Sequence, residues 1–464
     1  MHYFQTWTIH KEEISAANRF DAKFFHPQFL EIIEKLRKSS VKLGELCPKP
    51  ERGKAPYKPE YVKEGIAVIK TDDLTSKGIR WDNVAFINAE LYRAKFKGQE
   101  LIRGDILLSS TGTGSIGKID IVGFIPSEFG ETALITPKIT LIRSEQDRFD
   151  NYYIVQYLRS DYARIQIDSI TRGQTGQIEL YPQDIQNILV PLLPEEVQRE
   201  IGDKVRQAED ARKEAWAVRR QILNWEQELF GTEERRPSTW LIPPGLLSQR
   251  LDAKFYNPTR LEVINRIESL WEAVRLRDLC QDGFPRRGNA PHKPKYKEYG
   301  IPTLVTDSLT DQGIDWDKVA FVSEEEFESK KASNVKQRDL ILASTGVGSL
   351  GKVDIVHRIP QEYKERCLAT PELTIIRLKD EEFSHFLLLF LRSPFGQIQI
   401  MSSLRGETGQ THLYPRDIQD FLIPLVSEHK EIAEKVVAFE ELQVKSKTLI
   451  NEAGYKIRKA LQQL

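Results

Sequence analysis

The chain nearly duplicates itself, and that repeat limits what it can fold into. An ordered series of matches recurs at an offset of about 231 to 235 positions, far longer than the period of any solenoid repeat. Arg19-Phe20-Asp21-Ala22-Lys23-Phe24 is matched by Arg250-Leu251-Asp252-Ala253-Lys254-Phe255, and Gly53, Ala55 and Pro56 by Gly288, Ala290 and Pro291. Gly78-Ile79-x-Trp81-Asp82-x-Val84-Ala85-Phe86 returns as Gly313-Ile314-x-Trp316-Asp317-x-Val319-Ala320-Phe321. Ser110-Thr111-Gly112-Thr113-Gly114-Ser115-Ile116-Gly117-Lys118 returns as Ser344-Thr345-Gly346-Val347-Gly348-Ser349-Leu350-Gly351-Lys352. Arg172-Gly173-Gln174-Thr175-Gly176-Gln177 and Leu180-Tyr181-Pro182 have the counterparts Arg405-Gly406-Glu407-Thr408-Gly409-Gln410 and Leu413-Tyr414-Pro415. Chance does not produce such a series, so the architecture is expected to be two copies of one plan.

Within each copy the hydrophobic period changes once. Short β-branched runs at 66–70, 84–87, 106–109, 118–122, 139–143 and 188–192 read as strands between Gly/Pro turns, and Asn151 to Arg159 reads as a short helix. From Glu195 the apolar residues Val197, Ile201, Val205, Ala208, Ala211, Ala215, Val218, Ile222, Trp225 and Leu229 alternate in steps of three and four, the seam of a coiled coil, and Gly231 is placed to end the helix. Ile432, Val436, Phe439, Leu442, Leu449, Ala453, Ile457, Ala460 and Leu464 repeat the seam, interrupted near Ser446. The expected divisions are a body over 1–194, a long helix over 195–231, a second body over 232–427 and a second long helix over 428–464. The fold class is α+β: two homologous bodies of mixed strands and short helices, separated by two long helices that pair as an antiparallel coiled coil with a pseudo-two-fold. The competing expectation is that each helix packs on its own body.

Composition bounds the function. With 40% hydrophobic and 29% charged residues the chain is globular in character. No apolar run approaches the ~18 residues that a membrane span needs, and Met1 to Ile9 lacks the pattern of a signal peptide. Three distant cysteines, Cys47, Cys280 and Cys367, and scattered histidines argue against a disulfide scaffold or a metal site, so no metal ligand is expected and a reducing, cytoplasmic setting is. Cys47 and Cys280 read as small buried residues. A net charge of −1 is low for a nucleic-acid binder, so any such role must rest on local patches.

Three duplicated stretches carry candidate chemistry. Gly112-x-Gly114-x-x-Gly117 and Gly346-x-Gly348-x-x-Gly351 spell GxGxxG, which on its own suggests a nucleotide or S-adenosylmethionine site. That reading needs a helix after the glycines, whereas Lys118-Ile119-Asp120-Ile121-Val122 and Lys352-Val353-Asp354-Ile355-Val356 alternate as strands do. A Gly-rich turn with exposed hydroxyls and a lysine at its edge, able to approach a DNA backbone, is the preferred reading, beside that of a purely structural hairpin. The second stretch holds Arg286, Arg287, Lys293 and Lys295, with Arg52, Lys54 and Lys58 (and Lys49, offset by Glu51) as its counterpart. These are expected to be basic loops that contact phosphate, or else solvated loops. The third contains Arg172, Gln174, Thr175 and Gln177, and Arg405, Glu407, Thr408 and Gln410. Arg can pair bidentately with guanine and Gln with adenine, and a well-made turn before Tyr181-Pro182 explains the segment equally well. Trp81 and Trp316 are read as core residues in strand-like surroundings. The chain has no Asn/Asp-Pro-Pro-Tyr/Phe, no complete Walker A, no HExxH and no GxSxG, so no catalytic residue is expected.

The order body, long helix, body, long helix resembles the specificity (S) subunit of type I restriction–modification systems. The residues that carry the resemblance are Gly104-Asp105-Ile106-Leu107-Leu108-Ser109 through Gly117, Arg338 through Gly351, Gly173-Gln174-Thr175, Ile188 to Pro194, and the helices from Glu195 and Glu428. The usual Pro-Leu-x-Glu-Gln-x-x-Ile start of the helix is degraded in both copies: Pro194 to Ile201 keeps the Gln and Ile, and Ser427 to Ile432 lacks the Gln. The resemblance implies two target-recognition domains that read the halves of a split site on double-stranded DNA, with the helices as ruler and docking surface. It implies two methyltransferase (M) subunits as partners and restriction (R) subunits in the full complex, no membrane partner, and S-adenosylmethionine, ATP and Mg on those partners rather than on this chain. The DNA contacts are then expected among Arg52, Lys54, Lys58, Thr111, Thr113, Ser115, Lys118, Arg172, Gln174, Thr175, Gln177, Arg286, Arg287, Lys293, Lys295, Thr345, Ser349, Lys352, Arg405, Glu407, Thr408 and Gln410. The alternatives are a self-contained nucleotide- or S-adenosylmethionine-dependent enzyme that uses the GxGxxG loops, and a tandem module for a ligand other than DNA.

Overall fold

The structure is a computed structural model. It describes residues 8, 24–56, 60–75, 78–112, 114–144, 149–173, 178–231, 240–242, 245, 247, 250, 252–291, 296–310, 313–346, 348–406 and 411–464. The chain divides into two compact units, one of Met1–Ala217 with Phe439–Leu464 and one of Val218–Ala438, so the division falls inside the long helices.

Each unit contains the same sheets. In the first, the strands Glu51–Arg52, Ile139–Ile142, Ile106–Ser109 and Ile119–Ile121 lie in that order, all antiparallel. A second sheet places Ile66–Ile69 between Ala85–Ile87, antiparallel, and Ala133–Ile135, parallel. Ser40–Lys42 pairs with Leu189–Pro191, which leads into the long helix Glu195–Phe230. The second unit repeats this with Arg286–Arg287, Leu373–Ile376, Leu340–Ala343 and Val353–Ile355, and with Ile301–Leu304 between Ala320–Val322 and Leu368–Ala369. Ile106, Leu107, Leu108, Ile139 and Ile142 are buried, as a sheet covered on both faces requires.

All six strands read from the periodicity are present within a residue or two of their expected ends, and the short helix is Asn151–Leu158. Ala133–Ile135 and the helix Asp161–Ile170 lacked a clear period: the first is a short interior strand, and the second buries only Ala163, Gln166, Ile167, Ser169 and Ile170. Two readings are corrected. The basic stretches expected as loops begin as two-residue edge strands, because Glu51–Arg52 and Arg286–Arg287 each complete a four-stranded sheet. Trp81 and Trp316 are not in strands: Trp81 follows Gly78–Ile79 in a turn, buried against Phe124 and Phe129, and Trp316 opens a 3-10 turn, half-buried.

The long helices are Glu195–Phe230 and His429–Gln462. In the first unit they run antiparallel, since Lys204 pairs with Glu452 and Glu200 with Lys456. One apolar cluster joins Ile201 and Val205 to Ala453, Ile457 and Leu461 and also to Ile154, Tyr157 and Leu158 of the body. Pairing between helices and packing on the body, posed as alternatives, are therefore the same core here. The seam ends differently from the heptad reading: Leu461 is fully buried while Leu464 is exposed, and Ser446, read as an interruption, is buried. In the second unit Phe230, the last residue of the first long helix, sits among Trp271, Phe386, Phe390 and Phe395.

Gly53 and Gly288 recur because backbone passes directly beneath them. A Cβ on Gly53 would lie 2.3 Å from the Ile135 carbonyl oxygen, and one on Gly288 2.3 Å from that of Ala369. Gly53→Ala and Gly288→Ala are each expected to lower stability by about 1–3 kcal/mol, read by denaturant unfolding, because backbone cannot move aside as a side chain would. Cys47, Cys280 and Cys367 are all buried and unpaired, and burial raises their thiols, Cys47 and Cys280 to about 12. A thiolate reagent at pH 8 should titrate none of the three rapidly in the folded chain and all three in denaturant.

Candidate nucleic-acid interface

The Gly-rich stretch is a strand–turn–strand connection. Ile106–Ser109 enters it, Ile119–Ile121 leaves it, and Gly112 and Gly117 take φ of 97° and 78°. Leu340–Ala343 and Val353–Ile355 do the same around Gly346 and Gly351, with φ of 106° and 85°. A strand follows the lysine in both copies, so the helix N-terminus that a Rossmann or P-loop phosphate site requires is not built here. The hydroxyls expected to be exposed are partly consumed by the turn. Ser115 donates to the Thr111 carbonyl at 2.9 Å, Thr111 Oγ1 is shielded, and Ser349 Oγ lies where a Cβ on Gly346 would come within 2.9 Å. Thr345 and Lys118 are half-buried, and Lys352 is exposed.

Packing brings three distant stretches together at this turn. Leu180 N–H donates to the Ser110 carbonyl at 2.9 Å, Thr111 bridges to Glu179, and Glu179 pairs with Arg172 through both backbone groups. Arg52, from the edge strand, reaches into the same place. It pairs with Glu179 at 2.5 Å, donates to the Leu180 carbonyl at 3.3 Å and lies 5.4 Å from the centre of the Tyr181 ring. Arg172 lies 5.7 Å from that ring. The second unit builds the corresponding cluster from Arg287, Ser344, Arg405, His412, Tyr414 and Asp417: Leu413 N–H donates to the Ser344 carbonyl at 2.9 Å, and Arg287 is 5.1 Å from the Tyr414 ring.

The two arginines read as base-pairing forks are occupied. Arg172 donates to both carboxylate oxygens of Asp184 at 2.8 and 2.7 Å, and Arg405 to both of Asp417 at 2.8 and 2.6 Å. In this structure they tie the polar turn to the short helices Pro182–Ile185 and Pro415–Gln419 rather than presenting free forks. Lys54 is exposed, and Arg286 is half-buried with its guanidinium 4.3 Å from the Phe284 ring. Lys58, Thr113, Gln174, Thr175, Gln177, Lys293, Lys295, Glu407, Thr408 and Gln410 lie outside the described residues.

Sequence reasoning missed a buried ionic group that fastens the first body to its helix. Asp120, fully buried on the strand after the turn, is paired with Arg159 and lies 3.7 Å from Arg212 of the long helix, which pairs in turn with Glu209. Gly123 leaves room for Glu209, since a Cβ there would fall 2.4 Å from its Oε2, and burial holds the Glu209 carboxyl above the usual carboxylate range. The second unit keeps Asp354 with Arg392 at 2.9 Å. At the place of Gly123 it has His357, whose ring stacks on that of His385 at 5.5 Å. The signal was available: Leu158-Arg159-Ser160 and Leu391-Arg392-Ser393 recur together with the Asp of Lys-x-Asp-Ile-Val.

The family model described as the type I restriction modification DNA specificity domain matches residues 37–215 and 268–453, one match in each half of the repeat. The chain belongs to this family. It has the repeat of a type I restriction–modification specificity subunit, and the self-contained enzyme reading gains no support. The type I restriction enzyme MjaVIII specificity subunit of Methanocaldococcus jannaschii is 23% identical over 408 residues, covering 87% of this chain and 83% of that protein. A crystal structure of the type I restriction–modification S subunit from M. genitalium shares 13% identity with a TM-score of 0.47, covering 91% of this chain and 94% of that one. The HsdS subunit from Thermoanaerobacter tengcongensis shares 17% identity with a TM-score of 0.27, covering 91% and 96%. Among the described residues no helix is long and apolar enough to cross a membrane.

The duplicated Arg–Asp forks define a structural role that can be checked. Arg172→Lys and Arg405→Lys keep the charge but not the two-bond geometry. Each is expected to cost about 0.5–1 kcal/mol in chemical denaturation, with Asp184→Glu and Asp417→Glu smaller in effect.

Proposed function

We propose that this specificity subunit reads a split site on double-stranded DNA, one half with each body, and has no catalytic centre of its own. The observation that carries the proposal is that the family match falls separately on each copy, and each copy gathers an edge-strand arginine, the Gly-rich turn and an Arg–Asp-braced loop into one cluster. Arginines at a sheet edge beside a turn of low side-chain bulk suit contact with phosphate, which positions the protein on the duplex. Base choice then falls to side chains that differ between the copies, among them Gln174 and Glu407.

In this reading the partners are two methyltransferase subunits, joined by restriction subunits in the full complex, and the exposed faces of the long helices are their docking surface. S-adenosylmethionine, ATP and Mg belong to those partners. The setting is cytoplasmic, where such partners meet DNA.

Two measurements test this. The purified chain should neither retain labelled S-adenosylmethionine in equilibrium dialysis nor transfer methyl groups, while binding duplex DNA with an affinity that falls steeply as salt rises. In cells that carry the complete system, methylated positions should define one bipartite motif that disappears when this chain is deleted. Methyl transfer by the chain alone, or a motif that survives its deletion, would overturn the reading.

A further inference from the structure

The two copies differ in charge at corresponding clusters. In the first unit the edge strand and the braced loop bring together Arg52, Arg172, Glu179 and Asp184, two guanidiniums with two carboxylates, while Glu51, next to Arg52 on the strand, lies on the opposite face beside Arg143. The equivalent positions of the second unit are Arg286, Arg287, Arg405, His412 and Asp417, with Arg416 where the first has Gln183. Arg286 turns to the face that holds Phe284, Arg377 and Asp339, so Arg287, Arg405 and Arg416 share the cluster with one carboxylate, Asp417. The flanking pairs Arg143–Asp105 and Arg377–Asp339 are the same in both, and buried Arg250 in the second unit pairs with Asp252 and lies 3.6 Å from Asp417.

The difference extends to how the matching arginines are held. Arg52 is neutralised by Glu179 at 2.5 Å, and that contact keeps the Glu179 carboxyl below its ordinary range. In the second unit His412 stands at the sequence position of Glu179, and Arg287 forms no ion pair among the described residues. Its Nε and Nη2 are shielded from solvent and have no hydrogen-bond partner among the described residues, while its guanidinium rests on the Tyr414 ring. Arg416, exposed, lies 5.5 Å from the same ring. Arg287 and Arg416 thus both lie against the Tyr414 ring, with no carboxylate partner among the described residues. An anion placed there can accept charge-assisted hydrogen bonds without displacing a partner among the described residues.

We propose that the Arg287–Arg416–Tyr414 cluster of the second unit is a phosphate-binding site and the principal backbone anchor on DNA, and that the equivalent cluster of the first unit is held neutral by Glu179. This rests on the DNA-recognition reading and goes beyond it, because phosphate affinity is supplied unequally by two bodies of one plan. The second body supplies the electrostatic hold, and the first contributes chiefly through shape and base contacts.

The test compares the salt dependence of duplex DNA binding by the full-length chain. Each phosphate contact contributes about 0.9 to the slope of log K against log salt, so emptying this one site with Arg287→Gln and Arg416→Gln should flatten the slope by about 0.9. Arg287→Lys with Arg416→Lys, which keeps the charges, should restore most of it and so separates loss of charge from loss of fold. In the opposite sense, Glu179→Gln releases Arg52 and should steepen the slope by up to about 0.9. An unchanged slope in the double Gln variant, or in Glu179→Gln, would overturn the proposal. Inorganic phosphate titrated into the chain with labelled arginine side chains provides a readout that does not depend on DNA. The Arg287 Nε–H resonance should move at lower phosphate than that of Arg52, and equal responses would overturn the inequality. If phosphate moves Arg287 but no duplex binds, the anion site stands and the DNA reading falls.

Discussion

An amphipathic helix of 36 residues must cover its apolar stripe, and in the first unit two surfaces share that work. Ile201 and Val205 face both the body, through Ile154, Tyr157 and Leu158, and the antiparallel end of the second long helix, through Ala453, Ile457 and Leu461. Because one core serves both contacts, the body cannot shift on the helix without opening the helix pair. Close packing of this kind tolerates little void, so the position of the sheet, and with it the Gly-rich turn and the edge arginine, follows from how the helix stripe is covered.

Charge reinforces that placement. The Asp120–Arg159 pair sits at the middle of the short strand that leaves the turn, and Arg212 and Glu209 bring the long helix to it. Removing one member of such a buried group would strand the others, so it acts as a lock on geometry more than as a source of net stability. The second unit keeps Asp354 and Arg392 but replaces Gly123 by His357, stacked on His385; burial lowers these imidazoles to about 3 and about 4, which leaves them uncharged at neutral pH. Two copies of one plan have therefore kept the ion pair on this strand and changed what packs beside it.

Duplication also separates the parts of the plan that hold the structure from those free to diverge. The Arg–Asp forks at Arg172 and Arg405, the glycines that pass over backbone at Gly53 and Gly288, and the turn glycines are the same in both units because geometry requires them. Glu51 against Arg286, Glu179 against His412 and Gln183 against Arg416 are not constrained in this way, since each projects from a settled backbone. Divergence at such positions can change what each copy holds without disturbing how it folds.

Much of this was legible in the sequence. The repeat, the change from strand to helix period and the turn glycines are local signals, and periodicity in a chain directly reflects which face of an element is buried. The six strands and both long helices follow from it, as do the strands, rather than helices, that come after Lys118 and Lys352. What the sequence could not determine is which charges meet. Arg172 looked like a free fork until folding set it against Asp184, and Arg52 a free cation until it met Glu179, 127 residues away. Leu464 continued the heptad, but the buried position belongs to Leu461, because the end of the helix packs on a body whose shape no period encodes. Local pattern determines the elements. Only their packing brings side chains distant in sequence within the few ångströms at which charges neutralise one another or remain available.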